Sequence, residues 1–246
     1  VYLYATPKVY VRDHLIFSQL DDTYTSAGMI VQLELHNPQQ QAVDKQVRVR
    51  LLDPEGTEVT TFEAPCHFEE GQELLTTNLA LGTLDGLKAW TAETPNLYTV
   101  EIAQLDAEGN EEMAFATKHG FRTVSIENGR VMLNGQRVFF KGANTQDTHP
   151  VHGRAIDTAT RLRDVQLMKQ ANINTVRGSH YPRQPKMYSM FDYYGLYCMD
   201  EADVECHFDW ENGNSISRSE SWRAAYLDRT ERMVLRDRNF PSVLFW

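Results

Sequence analysis

The side chains able to do chemistry crowd into residues 174–207, NTVRGSHYPRQPKMYSMFDYYGLYCMDEADVECH. Glu205 and His207 are the sharpest pair. Two residues apart in an extended segment, a carboxylate and an imidazole point to one side and make a partial shell for a hard divalent cation that keeps waters. The competing reading is a solvated acidic loop, because Asp200, Glu201 and Asp203 stand just before them. Cys206 lies between the pair, points the other way, and offers a soft sulfur that such a cation does not choose. Upstream, Arg177 has the fork geometry to orient a neighbouring carboxylate and lower its pKa. The alternative for it is an ion pair without further role. His180 sits in a Ser-His-Tyr-Pro run and is either a polar contact for a ligand or a structural imidazole. By contrast His36, His67 and His119 fall singly and read as structural or solvent-facing.

These clusters need elements that bring them together. Two apolar runs, 173–176 and 196–199, each end in a polar cluster, and a helical pattern lies between them. Met187, Met190, Phe191 and Tyr194 recur at helical spacing, Pro185 suits a first turn, and Gly195 stops the helix. A strand–helix–strand unit places both clusters at strand C-terminal ends, the ligand end of parallel α/β folds. Extending the pattern gives strands at 138–142, 173–177, 196–199 and 242–246, with helices from about Thr158, Pro185 and Trp222, hence a parallel sheet. Asn144, Gln146, Asp147 and His149 then follow the first strand and join the same rim. Periodicity leaves open both a doubly wound sheet and half of an eight-stranded barrel. No Gly-rich phosphate loop follows the first strand to favour a nucleotide fold.

The text before residue 124 is different. Short alternating segments such as 29–35, 47–52 and 98–105 are broken by Asn37-Pro38, Asp53-Pro54-Glu55-Gly56 and Glu108-Gly109-Asn110. Period-two alternation with frequent turns describes a two-sheet antiparallel sandwich, with Trp90 and Tyr98 expected in its core or interface. Residues 126–136, IENGRVMLNGQ, read as a hairpin with turns at Asn128-Gly129 and Asn134-Gly135. The expected domains are 1–123, the sandwich, and 124–246, the α/β part.

Composition narrows the partners. A chain of 246 residues, 41% hydrophobic and 24% charged, is a soluble globular protein long enough for one large or two ordinary domains. A net charge of −10 argues against nucleic acid and anionic membrane as partners. The three cysteines, Cys66, Cys198 and Cys206, form no spacing framework and read as free thiols. No apolar run approaches a membrane span, and a start at Val1 directly in an alternating strand is expected of a processed or excised piece, so the lack of a signal-peptide pattern there says little about the parent.

Three motifs in order, VRGSHYP, FDYYGLYCMDEADVECH and RDRNFPSVLFW, resemble the glycoside hydrolases of family 2, most closely the bacterial β-galactosidases. The TPNLY segment, Thr94 to Tyr98, is similar too, so the resemblance covers the whole chain. It implies an immunoglobulin-like β-sandwich followed by a truncated (β/α)8 TIM barrel of about four β/α units, from a retaining β-galactosidase that cleaves terminal β-D-galactosides. It also implies Mg2+ bound by Glu205 and His207 and sugar contacts from His180, with Asn144, Gln146 and Arg177 lining the substrate site. The acid/base and nucleophile glutamates would lie beyond Trp246, so residues 1–246 alone are expected to be inactive. The implied protein is bacterial and soluble, cytoplasmic or periplasmic, and the exposed half-barrel is expected to self-associate.

The chain departs from the family pattern in places. Gln146-Asp147 stands where a His-Glu pair is usual, Gly178 replaces a small side chain, and Phe240 replaces a histidine, which puts substrate preference in question. β-Glucuronidase and β-mannosidase are the sister activities. The glucuronidases resemble this chain around SHYP but lack the acid-x-histidine pair. A noncatalytic carbohydrate-binding module is the remaining alternative; it would need a strip of exposed aromatics on residues 1–120, and spacing reveals none.

Overall fold

The computed structural model describes residues 3–208 and 211–246. The chain divides into two compact units: Val1–Trp90 with Asn96–Thr123, and Thr91–Pro95 with Val124–Trp246. No helix among the described residues is long and apolar enough to cross a membrane.

The first unit holds strands β1 (Tyr10–Leu20), β2 (Ala27–His36), β3 (Val43–Leu52), β4 (Glu58–Phe68), β5 (Leu74–Leu84), β6 (Tyr98–Leu105) and β7 (Glu111–His119). They form two antiparallel sheets, ordered β1-β2-β5 and β4-β3-β6-β7. Strand β2 shows why: Met29, Val31, Leu33 and Leu35 are buried while the residues between them face outward. They join Val47, Val49 and Leu51 of β3 and Val100 and Ile102 of β6 in one apolar cluster drawn from both sheets. Each such side chain contributes about 1.5–3 kcal/mol on burial. The turns form at the expected breaks by one device. Asp53 Oδ1 accepts from the amides of Glu55 and Thr57, and Asp106 Oδ1 from those of Glu108 and Asn110. Trp90 is fully buried, and its amide donates to the Phe121 carbonyl at 2.8 Å. The Tyr98 hydroxyl accepts from the Lys88 amide at 2.9 Å, and its ring meets Phe121 edge-on.

His119, at the end of β7, is buried against Phe121 and shares a hydrogen bond with Ser18 Oγ. Burial, aided by the nearby positive charge of Arg122, lowers its pKa to about 3 and keeps it neutral. His36 bonds Tyr10 and Glu73, and His67 pairs with Asp44. These local contacts agree with a structural reading of all three.

The second unit opens with the hairpin strands β8 (Val124–Glu127), β9 (Arg130–Leu133) and β10 (Gln136–Arg137), turned at Gly129 and Gly135 with positive φ. The rest follows as β11 (Gly142–Thr145), α1 (Thr158–Gln170), β12 (Thr175–Gly178), α2 (Pro185–Tyr194), β13 (Tyr197–Met199), α3 (Arg223–Asp237) and β14 (Val243–Phe245). The strands make a parallel sheet in the order β11-β12-β13-β14. Asp157 caps α1 by accepting from the Thr160 amide. Pro185 starts α2, and Gly195 ends it in the left-handed conformation, where any side chain would collide with the Ala92 carbonyl.

One expectation needs correction. The first strand covers Gly142–Thr145, not 138–142, so Asn144 lies in the strand rather than after it, and the sheet edge is not at Phe139 and Phe140. The Asn174 side chain explains the shift: it donates to the Phe139 carbonyl and accepts from the Lys141 amide, occupying the backbone where a ladder would otherwise form. Helix α2 lies where its spacing, Pro185 and Gly195 put it. Its buried face is Met187, Tyr188, Phe191 and Asp192, with Met190 and Tyr194 only partly covered. Tyr188 and Asp192 turn inward because polar partners wait there: Asp200 for the phenol and the Ser242 amide for the carboxylate.

Candidate functional site

The parallel register places Asn144 of β11 beside Arg177 of β12, and Arg177 beside Met199 of β13. Side chains at the C-terminal ends of adjacent strands therefore converge. Arg177 Nη2 lies 2.8 Å from Glu201 Oε2, and His180 Nδ1 lies 2.8 Å from Glu201 Oε1. Arg177 Nη2 is 3.2 Å from His180 Nδ1, and Arg177 Nη1 reaches Asn144 Oδ1 at 3.5 Å. With a carboxylate oxygen this close, Nδ1 is assigned the proton, which it donates to Glu201. The Nε2 edge of the ring is then left for a ligand. Arg177 and His180 are each 36% exposed, while Glu201 is 21% exposed, so the carboxylate anchors the cluster and the two basic side chains present it.

The other expected residues fall differently. Gln146 is exposed on the segment after β11. Asp147 faces Arg183 at 3.6 Å, and its amide donates to the Tyr181 hydroxyl. His149 is used by its own turn: Nδ1 accepts from the amides of Val151 and His152, and the ring stacks on His152. Asp203 is 3.8 Å from Arg229 of α3.

Glu205 and His207 do point to one side, with Oε1 and Nδ1 2.5 Å apart. His207 is 79% exposed and Glu205 34%, an open position that solvent or a ligand can reach. As a donor set the pair suits a hard cation in part: one carboxylate, one imidazole, and the remaining positions left to water or further oxygens. Among the described residues no group of three or more such ligands converges. Cys206 stays apart from the pair, its sulfur accepting from the Phe208 amide.

Beneath the rim lies a buried polar network that local pattern did not reveal. Arg183, Asp192, Asp200 and Asp237 are all nearly inaccessible. Tyr188 donates its hydroxyl proton to Asp200 Oδ1 at 2.6 Å and accepts from the Arg183 amide at 2.7 Å. The Glu201 amide also donates to Asp200 Oδ1, at 3.0 Å. Arg236 grips both oxygens of Asp237 at 2.8 and 2.6 Å. Burial raises the Asp200 pKa to about 7, and the Tyr188 phenol is pushed up by burial and by the Asp200 charge. One signal was available in the sequence. Asp200 shares strand parity with Cys198, a residue of the apolar run, and so faces the same buried side.

Comparison with known proteins agrees with this architecture. Residues 124–246 match the model of the "Glycosyl hydrolases family 2, TIM barrel domain", and residues 9–122 that of "Glycosyl hydrolases family 2". A β-galactosidase of Photobacterium profundum is 36% identical over 251 residues, covering 100% of this chain and 24% of that protein. One from Alteromonas mediterranea is 43% identical over 159 residues, covering 65% of this chain and 15% of its own length. Among solved structures, a Bacteroides uniformis β-glucuronidase has a TM-score of 0.84 at 19% identity, over 97% of this chain and 28% of its own, which speaks to fold alone. A Ruminococcus gnavus β-glucuronidase in complex with D-glucuronic acid has a TM-score of 0.77 at 26% identity, over 97% of this chain and 36% of its own. The chain thus spans about a quarter of the curated relatives it matches (24% of the first). Both its sandwich and its α/β unit place it among the glycosyl hydrolases of family 2, to which the chain belongs.

Proposed function

We propose that the chain is part of a retaining β-galactosidase acting on terminal β-D-galactosides, and that its parallel sheet is the first half of a (β/α)8 barrel. The observation that carries this reading is the Arg177–His180–Glu201 cluster at the strand ends, in a chain that is 36% identical along its whole length to a β-galactosidase. In the reaction, His180 hydrogen-bonds sugar hydroxyls through Nε2, a contact that strengthens as the ring flattens toward the transition state. Glu201 holds the imidazole in that orientation, Arg177 fixes Glu201 through its other oxygen, and Asn144 and Gln146 line the approach. A retaining glycosidase needs two carboxylates about 5 Å apart. Glu201 has both oxygens engaged by basic side chains, so it fills neither role; the two reacting carboxylates would come from elsewhere in the protein, and residues 1–246 alone are expected to be inactive. Glu205 and His207 would hold Mg2+, which supplies positive charge to the site when bound.

A β-glucuronidase is the second reading, favoured by the fold match to enzymes of that name. Two features weigh against it. Arg177, the rim cation a uronate carboxylate would seek, is already paired with Glu201, and the adjoining Glu205–His207 pair suits a metal rather than an acid sugar. For the polypeptide 1–246 by itself, we further propose association through the sheet edges at β11 and β14. A clean monomer at micromolar concentration in sedimentation would overturn this last point.

The deciding experiment compares nitrophenyl β-galactoside, β-glucuronide and β-mannoside as substrates of the full-length protein, with Mg2+ and with chelator. Galactoside turnover that falls on chelation is expected, together with Mg2+ binding by calorimetry that is lost in Glu205→Gln. Preferential turnover of another glycoside would sink the substrate assignment, and calorimetry unchanged by Glu205→Gln would sink the metal assignment.

A further inference from the structure

The buried network under the rim has an imbalance of charge. Asp200 of the segment after β13 and Asp237 of α3 are 1% and 0% exposed, and the Asp237 charge acts on Asp200. Arg236 satisfies both oxygens of Asp237 and so neutralises one carboxylate only. Asp200 Oδ1 already accepts two hydrogen bonds, from the Tyr188 hydroxyl and the Glu201 amide. Its Oδ2 has no donor, although it is buried. A second buried carboxylate with no cation bonded to it and one oxygen without a donor is not kept ionised out of water. A proton on Asp200 Oδ2 answers this: it removes the uncompensated charge, gives the buried oxygen a hydrogen to carry, and leaves Oδ1 an acceptor for Tyr188 and Glu201.

We propose that Asp200 works as a neutral carboxylic acid and as a positioning residue: by holding the Glu201 amide it aims the Glu201 carboxylate at Arg177 and His180. The geometry is direct, since the same residue whose amide bonds Asp200 carries the carboxylate that meets both basic side chains. The groups packed around Asp200 agree on its charge. Helix α2 offers the phenol of Tyr188 and the carboxylate of Asp192, which is taken by the Ser242 amide. Helix α3 offers Arg236 and Asp237, already paired with each other. Strand β13 brings the thiol of Cys198, raised well above its ordinary pKa by burial and by these same acids, and the loop before α2 brings Arg183. Arg183 is turned to Thr145 and Asp147, so no second cation is bonded to Asp200.

This inference rests on the hydrolase reading only for its kinetic arm. The first measurement is infrared difference spectroscopy of the full-length protein across neutral pH, comparing wild type with Asp200→Asn. The expected result is a protonated-carboxyl band in wild type that fades as pH rises through about 7 and is missing from the variant. Its absence from wild type overturns the proposal. The second measurement uses kinetics well below the melting temperature. An amide reproduces both the acceptor and the donor of a neutral acid, so Asp200→Asn is expected to keep kcat/KM within about threefold and to lose the wild-type decline above neutral pH. Asp200→Ala is expected to raise KM and to lose tenfold or more in kcat/KM. Asn as damaging as Ala would mean that an ionised Asp200 is required, and Ala with lowered stability but unchanged KM and kcat would mean that the residue is merely structural. Either overturns the proposal. If no glycoside is turned over at all, the hydrolase reading fails while the infrared band still decides the state of Asp200.

Discussion

The two units handle charge in opposite ways. In the sandwich, charged side chains on the outer face of β3, β6 and β7 pair across the strands, with Arg48–Glu111 at 3.1 Å and Arg50–Glu101 at 2.6 Å. Its interior is a continuous apolar cluster, beside which His119 stays neutral. In the α/β unit the charges go inside. Arg183, Asp192, Asp200 and Asp237 are all 2% exposed or less, directly under the strand ends that hold Arg177, His180 and Glu201. The sandwich is held together by non-directional burial. The α/β unit spends stability on directional contacts, which fix where side chains at a rim can point.

The largest expected effect separates the units by pH. His119 has a folded pKa near 3 against 6.5 in its ordinary state, so its contribution is present above pH 6.5 and lost as pH falls toward 3. At 1.36 kcal/mol per unit, that is roughly 4–5 kcal/mol. Asp200 runs the other way. Its pKa is raised from 3.8 to about 7, so its contribution is present below pH 3.8 and lost as pH rises through 7, by an amount on the order of 4 kcal/mol. Urea unfolding between pH 3 and 9 is expected to lose its acid limb in His119→Gln and its alkaline limb in Asp200→Asn. If both substitutions remove the same limb, the contrast between the units is broken.

Next comes Arg236→Ala. It leaves Asp237 buried without its cation, and about 3 kcal/mol of stability should be lost, the low end for a broken buried pair because Arg236 is itself 41% exposed. The smallest effect sharpens the comparison from the sandwich side. Arg50 and Glu101 are 44% and 38% exposed, so a double-mutant cycle across them should give a coupling below about 1 kcal/mol. A coupling of the same size in both units would show that location does not set the strength of these pairs.

Much of the fold was legible in short stretches. The alternation in 29–35, the Asp-led turns at 53 and 106, Pro185 at a helix start and Gly195 at its end each act through neighbours a few residues away. Arg177, His180 and Glu201 were legible as a group because parallel strands align their C-terminal ends. The register of the first strand was not. It depends on the Asn174 side chain, which binds Phe139 and Lys141 from a different strand segment. The polar part of α2's buried face was not legible for the same kind of reason: a tyrosine and an aspartate on that helix become interior residues only when Asp200 and Ser242 are there to meet them.

The sequence by itself determined the division into a β-rich and an α/β part, the places where the chain turns, and the family motifs at the strand ends. Periodicity, glycine and proline geometry and residue type are local properties, and they survive without a structure. Only the tertiary structure decided which acid pairs with which base, that Asp200 is buried with one oxygen lacking a donor, and that His119 is sealed from water. Desolvation and charge pairing are set by whatever lies within a few ångströms in space, and no spacing along the chain encodes those neighbours directly.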